Sequence, residues 1–117
     1  MNGGRLTVHV LDTARGRPAA GLRLDLFRLD RAARQHLGTW RTNTDGRCDG
    51  PLLEGAALEA GSYAIVFDVA GWRAALGEPE PGFYDEVPIR FRITDPAAHY
   101  HVPLILAPYG YSTYRGS

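Results

Sequence analysis

Two histidines of this 117-residue chain lie on segments in which every second residue is aliphatic, the pattern of a β-strand with one buried face. His9 stands between Val8 and Val10, and His101 stands beside Val102. Successive side chains of a strand point to opposite faces, so both imidazoles are predicted on outer sheet faces. A neutral imidazole with an ordinary pKa of about 6.5 accepts protons near neutral pH, so the two side chains could share one site that activates water.

Other chemistries compete for these residues. His99 and His101 alternate on one strand and could both bind a metal, but zinc sites need three or four ligands and no third ligand stands nearby. Cys48, the only cysteine, lies in the turn-like run Asp45–Gly50 and is interpreted as a strand-edge thiol rather than a nucleophile. No Gly-x-Ser-x-Gly sequence is present for serine catalysis. We therefore predict no metal site, while each histidine taken alone could also be an ordinary strand residue.

Histidines beside an arginine suit the attack of water on an electrophilic carbonyl. The imidazole takes the proton of the water, and a cationic group stabilises the oxyanion that develops. The predicted substrate of such a site is small, polar and anionic.

The last nine residues, Tyr109–Ser117, are rich in aromatic and hydroxyl side chains. Terminal residues usually fray and tolerate change, so Tyr114, Arg115 and Ser117 are unusual in this place. They predict either a docked strand or part of a site, and the alternative is a frayed aromatic end.

The elements that must position these residues are mostly strands. A strand is predicted over residues 5 to 12, and further alternating or β-prone runs are centred on Leu24, on Trp40, on Ile65, on Ile89 and over His99–Ala107. One helical turn is predicted over residues 72 to 77. Short strands separated by turn signals predict an all-β antiparallel sandwich, and 117 residues suit a single domain spanning 1–117.

Composition excludes several partners. Thirteen basic and thirteen acidic side chains give a net charge of +0, so no overall field attracts nucleic acid. No apolar run reaches the length of a membrane span, so no membrane partner is predicted. The segment from Met1 to Arg5 lacks the apolar core of a signal peptide, and a cytoplasmic location is therefore expected.

In four blocks that follow one another in order, the chain resembles the 5-hydroxyisourate hydrolase family, the enzymatic branch of the transthyretin-like proteins. The blocks are Leu6–Asp12, Gly16–Ala19, Thr44–Arg47 and His99–Leu106, the last running into Tyr109–Ser117. The final Tyr-Arg-Gly-Ser is the most specific element, because the hormone-carrying transthyretins lack it.

The resemblance implies a fold, an assembly and a reaction. The fold is a prealbumin-like sandwich of eight antiparallel strands with one short helix. The assembly is a homotetramer, a dimer of dimers with its sites at the dimer-dimer interface. The reaction, part of urate degradation, opens the ring of 5-hydroxyisourate to 2-oxo-4-hydroxy-4-carboxy-5-ureidoimidazoline and needs no cofactor.

The resemblance also assigns roles to six residues. The implied catalytic residues are His9, Arg47, His101 and Ser117, and the implied substrate-binding residues are His9, Arg47, Tyr114 and Arg115. The histidines would activate water, Arg47 would hold polar or anionic groups, and Tyr114 would donate a hydrogen bond. It stays open whether Ser117 acts through its hydroxyl or a terminal carboxylate, and whether Arg115 touches substrate or pins the tail to a neighbouring chain.

A function from another class is a non-catalytic carrier that holds a small hydrophobic ligand in an interface channel. Such a channel would gain little from so many polar side chains, because each needs a hydrogen-bond partner. Catalysis is therefore the favoured hypothesis.

Overall fold

Two β-sheets packed face to face make up most of the computed structural model, which describes residues 3–78 and 82–117. The strands are β1 (Arg5–Asp12), β2 (Arg17–Pro18), β3 (Arg23–Leu29), β4 (Arg34–Arg41), β5 (Leu53–Glu54), β6 (Gly61–Asp68), β7 (Glu86–Ile93), β8 (His99–Ala107) and β9 (Gly110–Thr113). Helix α1 spans Val69–Ala75, and a 3-10 helix spans Gly55–Ala57. None of the helices in this described part is long and apolar enough to cross a membrane. Met1 and Asn2, which begin the segment without signal-peptide character, lie outside the described residues.

The order of strands brings the first strand beside one of the last. One sheet runs β2-β1-β8-β9, with β5 also paired to β1, and the other runs β4-β3-β6-β7. The predicted all-β sandwich with one short helix is confirmed. Within the described chain, β1 and β8 form the one parallel pair, and the two-residue strands β2 and β5 bring the number of strands to nine. A parallel pair needs a long crossover connection, and here the entire second sheet supplies it.

The inner faces of the two sheets form the core, as the alternation predicts. Leu6, Val8 and Val10 of β1 are buried beside Val102 and its aliphatic neighbours on β8. Each such side chain contributes about 1.5–3 kcal/mol by leaving water. A shift of one residue along either strand would exchange its two faces, so burial of this row fixes the opposite row on the outer face.

Two elements differ from their predicted bounds. Strand β4 begins at Arg34, earlier than the β-prone run around Trp40 indicated, because Asp30 accepts the backbone N–H groups of Ala32 and Ala33 in the turn before it. Helix α1 begins three residues before the predicted Trp72. Its first turn is capped by Asp68, which accepts the N–H of Gly71 at 3.0 Å.

Candidate active site

The parallel pairing of β1 and β8 places the outward-facing polar residues of the two strands side by side. Thr7 stands opposite His101, and Arg5 stands opposite His99. Oγ1 of Thr7 lies 2.8 Å from Nδ1 of His101 and 3.1 Å from Nε2 of His99. One hydroxyl therefore links both imidazoles of β8.

His101 lies in a surrounding that favours its neutral form. Its pKa is lowered from the usual 6.5, first by burial and then by the positive charges of Arg47, His9 and His99. Burial penalises an imidazolium, and nearby cations repel it. At neutral pH the ring therefore holds a lone pair that can accept a proton.

Arg47 reaches the same place from a tightly folded turn. Oδ1 of Asn43 accepts the N–H groups of Asp45 and Arg47 at 2.9 and 3.2 Å, and the N–H of Val10 donates to the carbonyl of Gly46 at 2.8 Å. Gly46 has a φ of 75°, and a Cβ atom there would lie 2.3 Å from the carbonyl oxygen of Val10, so only glycine fits. The turn is thereby held against β1.

The guanidinium of Arg47 makes no ion pair with any carboxylate of residues 3–78 and 82–117. Arg47 is exposed. Its planar set of donors is therefore free to bind an anionic or carbonyl oxygen.

His9 is tied to the same turn. Its Nε2 donates to the carbonyl oxygen of Asp45 at 2.8 Å, which requires the hydrogen on Nε2 and leaves Nδ1 as the nitrogen that can accept. The predicted outward orientation of His9 is confirmed, and in its protonated form its positive charge lowers the pKa of His101. His9 is nevertheless absent from the residues that line the cleft around Arg47 and His101.

A cleft of about 350 Å³ brings three of the six predicted residues together. Arg47, His101 and Ser117 all line it. The other lining residues are Arg5, Thr7, Val8, Cys48, Gly50, Pro51 and His99. Cations and imidazoles dominate its polar groups, which suits a small anionic or carbonyl-rich ligand.

Tyr114 and Arg115 lie elsewhere within the chain. Both line a second cavity of about 310 Å³ between the C-terminal segment, β7 and β8, and His101 lines this cavity as well as the cleft. Arg115 donates to the carbonyl of His99 at 3.0 Å, and its guanidinium lies 4.3 Å from the centre of the Tyr100 ring. Arg115 thus pins the tail to its own chain, and the substrate-binding roles of both residues remain predictions.

The C-terminal segment is docked, as one of the two predicted alternatives stated. Strand β9 pairs with β8, and beyond it the N–H of Gly116 donates to the carbonyl of His101 at 2.8 Å. This hydrogen bond and the one that Arg115 donates to the carbonyl of His99 hold the two residues before Ser117 against β8. The docking explains how a residue so near the chain end reaches the cleft.

Sequence reasoning gave no role to Thr7 or His99, although both line the cleft. The available signal was their spacing, because Thr7 precedes His9 by two residues and His99 precedes His101 by two, which puts each pair on one face.

Cys48 also lines the cleft, and burial, followed by the charge of Asp49, raises the pKa of its thiol to about 11. Such a thiol is protonated at neutral pH, in agreement with its interpretation as a structural residue. Among the described side chains, no group of three or more His, Cys, Asp and Glu residues is arranged to hold a metal ion.

Residues 6–116 match the HIUase/Transthyretin family. The chain belongs to this family. A relative from Mesorhizobium japonicum named 5-hydroxyisourate hydrolase is 59% identical over 118 residues, which are 99% of this chain and 94% of the relative.

Solved structures agree with the family match. The structure of (S)-allantoin synthase superposes with a TM-score of 0.91 at 42% identity, and the alignment covers 99% of this chain but only 44% of that longer one. Transthyretin from Sparus aurata superposes with a TM-score of 0.86 at 24% identity, covering 96% of each chain. This second likeness concerns the fold alone, and it confirms the prealbumin-like architecture.

Proposed function

We propose that the protein hydrolyses 5-hydroxyisourate, opening its six-membered ring to 2-oxo-4-hydroxy-4-carboxy-5-ureidoimidazoline in the degradation of urate. The observation that carries the proposal is the convergence of His101, Arg47 and Ser117 on one cleft. The Mesorhizobium japonicum relative named for this activity supports it at 59% identity over nearly the whole chain. The reaction consumes water and needs no cofactor.

In the proposed mechanism His101 is the base. Nε2 of His101 takes a proton from water while the oxygen of that water bonds to a ring carbonyl carbon. The bond between this carbon and its ring nitrogen then breaks, and the nitrogen takes the proton back from His101. The lowered pKa supports this role, because it keeps the imidazole unprotonated at neutral pH. His9 assists by orienting the water or substrate through Nδ1, because its Nε2–H already donates to the carbonyl of Asp45.

Arg47 stabilises the charge that the reaction creates. Its unpaired guanidinium can donate two parallel hydrogen bonds to the oxyanion or to a neighbouring carbonyl. Ser117 contributes polar contact from the end of the tail. Tyr114 and Arg115 bind substrate in the proposal only where a second chain brings its own cleft against them, because within one chain they line the other cavity.

The carrier hypothesis is not favoured. A hydrophobic ligand would leave the guanidinium of Arg47, and the ring nitrogens of His99 and His101 that do not face Thr7, without partners, which costs about 1–3 kcal/mol for each buried group. The cleft is lined by these groups, whereas the sheet-to-sheet core is apolar.

Decay of freshly made 5-hydroxyisourate tests the activity. Urate and urate oxidase generate the compound, and its transient absorbance should fall faster when the protein is added. His101→Asn should lower kcat by about 10²–10⁴-fold, the usual contribution of a general base. His36→Asn is the matched control, because His36 is exposed on the other sheet, beside Asp25 and Thr39. Decay at the uncatalysed rate with the folded wild-type protein would refute the proposal and favour the carrier.

Removal of residues 114–117 tests the tail. This truncation should abolish turnover, because it takes away Ser117 together with the Gly116 bond that holds the backbone of His101. Circular dichroism and thermal unfolding should still report a folded sandwich, because the described core contains no residue of this segment. Turnover at the wild-type rate would remove the tail from the mechanism.

The proposed assembly is a homotetramer, a dimer of dimers with its sites at the dimer-dimer interface. Two observations support it. Strands β7 and β9 are edge strands of their sheets in the described chain, and exposed edges invite pairing with a second copy. Tyr109 and Phe83 are 81% and 69% exposed with ring centres 6.1 Å apart, and contiguous exposed apolar groups mark interaction surfaces. Light scattering should give a mass close to four times the 12.8 kDa of the chain, and a monomeric mass would refute the assembly.

The proposed location is the cytoplasm, where a single half-buried thiol stays reduced. Fractionation of cells that express the untagged protein would test it. Recovery in the periplasmic or membrane fraction would contradict it.

A further inference from the structure

We propose that Thr7 and His99 are positioning residues for the reaction: together they hold His101 as the tautomer with its hydrogen on Nδ1, so that the lone pair of Nε2 is available to the cleft. This inference rests on the proposed function, because it concerns the residue that acts there as the base. Neither Thr7 nor His99 has a role in the mechanism given above.

The geometry of one hydroxyl group carries the inference. Oγ1 of Thr7 lies within hydrogen-bond distance of Nδ1 of His101, at 2.8 Å, and of Nε2 of His99, at 3.1 Å. A hydroxyl has a single hydrogen and two lone pairs, so it can donate to only one of the two imidazoles, whereas it can accept from either or from both. Nδ1 of His101 is therefore either the donor to Thr7 or the acceptor from it, and these two arrangements place the ring hydrogen of His101 on different nitrogens.

In the first arrangement His101 donates its Nδ1–H to Thr7, and the hydrogen of Thr7 goes to Nε2 of His99 or to water. Nε2 of His101 then keeps its lone pair. In the second arrangement His99 donates to Thr7, and Thr7 donates to Nδ1 of His101. Nε2 of His101 then carries the hydrogen and cannot act as a base.

The charges around the cleft favour the first arrangement. Arg47 lines the same cleft as His101 and acts on its ring as a positive charge. A lone pair directed toward a cleft that holds a guanidinium is attracted by it, whereas an N–H dipole in the same direction is repelled. His99 is exposed, so its other ring nitrogen can exchange hydrogen bonds with water and accept either tautomer at little cost.

The fold keeps this chain of three residues in place. The parallel register of β1 and β8 fixes Thr7 opposite His101, and a β-branched side chain on a strand has few χ1 rotamers. The carbonyls of His99 and His101 accept hydrogen bonds from Arg115 and Gly116 at 3.0 and 2.8 Å. Both histidine backbones are thus anchored from the tail side while Thr7 holds their rings from the β1 side.

The arrangement also suits the step after proton transfer. When Nε2 of His101 takes a proton, the imidazolium still has its Nδ1–H directed at the oxygen of Thr7, so no bond has to reverse. Because Thr7 is neutral, its effect is smaller than that of a buried carboxylate in the same position. We expect loss of the hydroxyl to lower kcat by about 10-fold, the size of one lost hydrogen bond.

The first test compares Thr7→Val, which keeps the shape and removes the hydroxyl, with Thr7→Ser, which keeps the hydroxyl. Thr7→Val should lower kcat by about 10-fold with little change in KM, and Thr7→Ser should stay within about threefold of wild type. Thermal unfolding of each variant separates this effect from loss of fold. Equal kcat values for Thr7→Val and wild type would overturn the proposal.

The second test reads the tautomer without substrate. Nitrogen NMR of the labelled wild-type protein above pH 7 should show Nδ1 of His101 protonated and Nε2 unprotonated, and Thr7→Val should shift this population. The opposite tautomer in the wild-type protein would overturn the proposal even if 5-hydroxyisourate is hydrolysed. Conversely, the expected tautomer in a protein that does not hydrolyse 5-hydroxyisourate would refute the proposed function alone.

A double-mutant cycle tests whether Thr7 and His99 act as one unit. His99→Leu should lower kcat by a few-fold, and His99→Gln should restore part of it by offering an acceptor to the Thr7 hydroxyl. The double variant of Thr7→Val and His99→Leu should be no slower than Thr7→Val alone, because the hydroxyl through which His99 acts is already gone. Losses that multiply would overturn the assignment of His99.

Discussion

Gly116 lies against the edge of the His101 ring so closely that a Cβ atom at position 116 would come 2.6 Å from Cδ2 of the imidazole. The backbones of the two residues are joined as well, because the N–H of Gly116 donates to the carbonyl of His101 at 2.8 Å. The ring is held on another side by Thr7. The absence of a side chain at position 116 therefore helps to define where the imidazole stands.

Gly116→Ala should lower kcat/KM by about 10- to 100-fold, because the methyl group displaces the imidazole and a displacement of about 1 Å in a reacting group can cost 10²-fold. Gly110→Ala is the matched control, since a Cβ atom at position 110 meets nothing within 4 Å. Steady-state kinetics should separate the two variants while their unfolding temperatures remain similar. Equal activity of both variants would contradict the tight fit.

Much of the sandwich could be predicted from alternation alone. The row Leu6, Val8 and Val10 has a period of two residues, which fixes both the strand and its buried face. The bounds of β4 are harder to predict, because the residues before Trp40 do not alternate and the turn that precedes the strand depends on side-chain contacts of Asp30.

The site was predicted only in part, for a physical reason. Alternation assigned His9 and His101 to outer faces but could not tell which strands are neighbours. The parallel pairing of β1 with β8 joins residues 94 positions apart, as in the contact between Thr7 and His101. Nothing in the local sequence specifies such a pairing, so the contact of Thr7 with His99 and His101 cannot be predicted from alternation.

The thiol of Cys48 should react slowly with alkylating reagents although it lines the cleft. Burial raises its pKa to about 11, and the reactive species is the thiolate. The rate of reaction with iodoacetamide should therefore keep rising between pH 8 and pH 10, whereas the rate for an ordinary thiol with a pKa of about 8.5 levels off. The free thiol of glutathione, measured in parallel, is the control. A plateau reached before pH 10, as for glutathione, would show that the pKa of the Cys48 thiol is not raised.

Gly46→Ala should destabilise the fold and weaken catalysis together. A side chain at a φ of 75° costs about 1–3 kcal/mol, and the added Cβ atom would also meet the carbonyl oxygen of Val10 at 2.3 Å. Gly16→Ala is the control, because Gly16 has a φ of 70° and open space around it. Urea unfolding should give a larger loss of free energy for Gly46→Ala than for Gly16→Ala. Kinetics should show lower kcat/KM only for Gly46→Ala, since this turn carries Arg47, and equal losses in both assays would contradict the role of the turn.

The pH dependence of kcat/KM should reflect the lowered pKa of His101. A base must be unprotonated to act, so activity falls as pH drops through the pKa of His101 in the folded protein. Burial and neighbouring cations put this pKa below 6.5, and the acid limb of the profile should therefore lie below pH 6.5.

Arg47→Gln removes one of the cations that lower the pKa of His101, so the acid limb of this variant should move to higher pH in addition to any loss of rate. Arg5→Gln is the matched control, because Arg5 lines the same cleft but is not among the charges that shift His101. An acid limb that stays in place in Arg47→Gln, or moves equally in Arg5→Gln, would show that another group controls it.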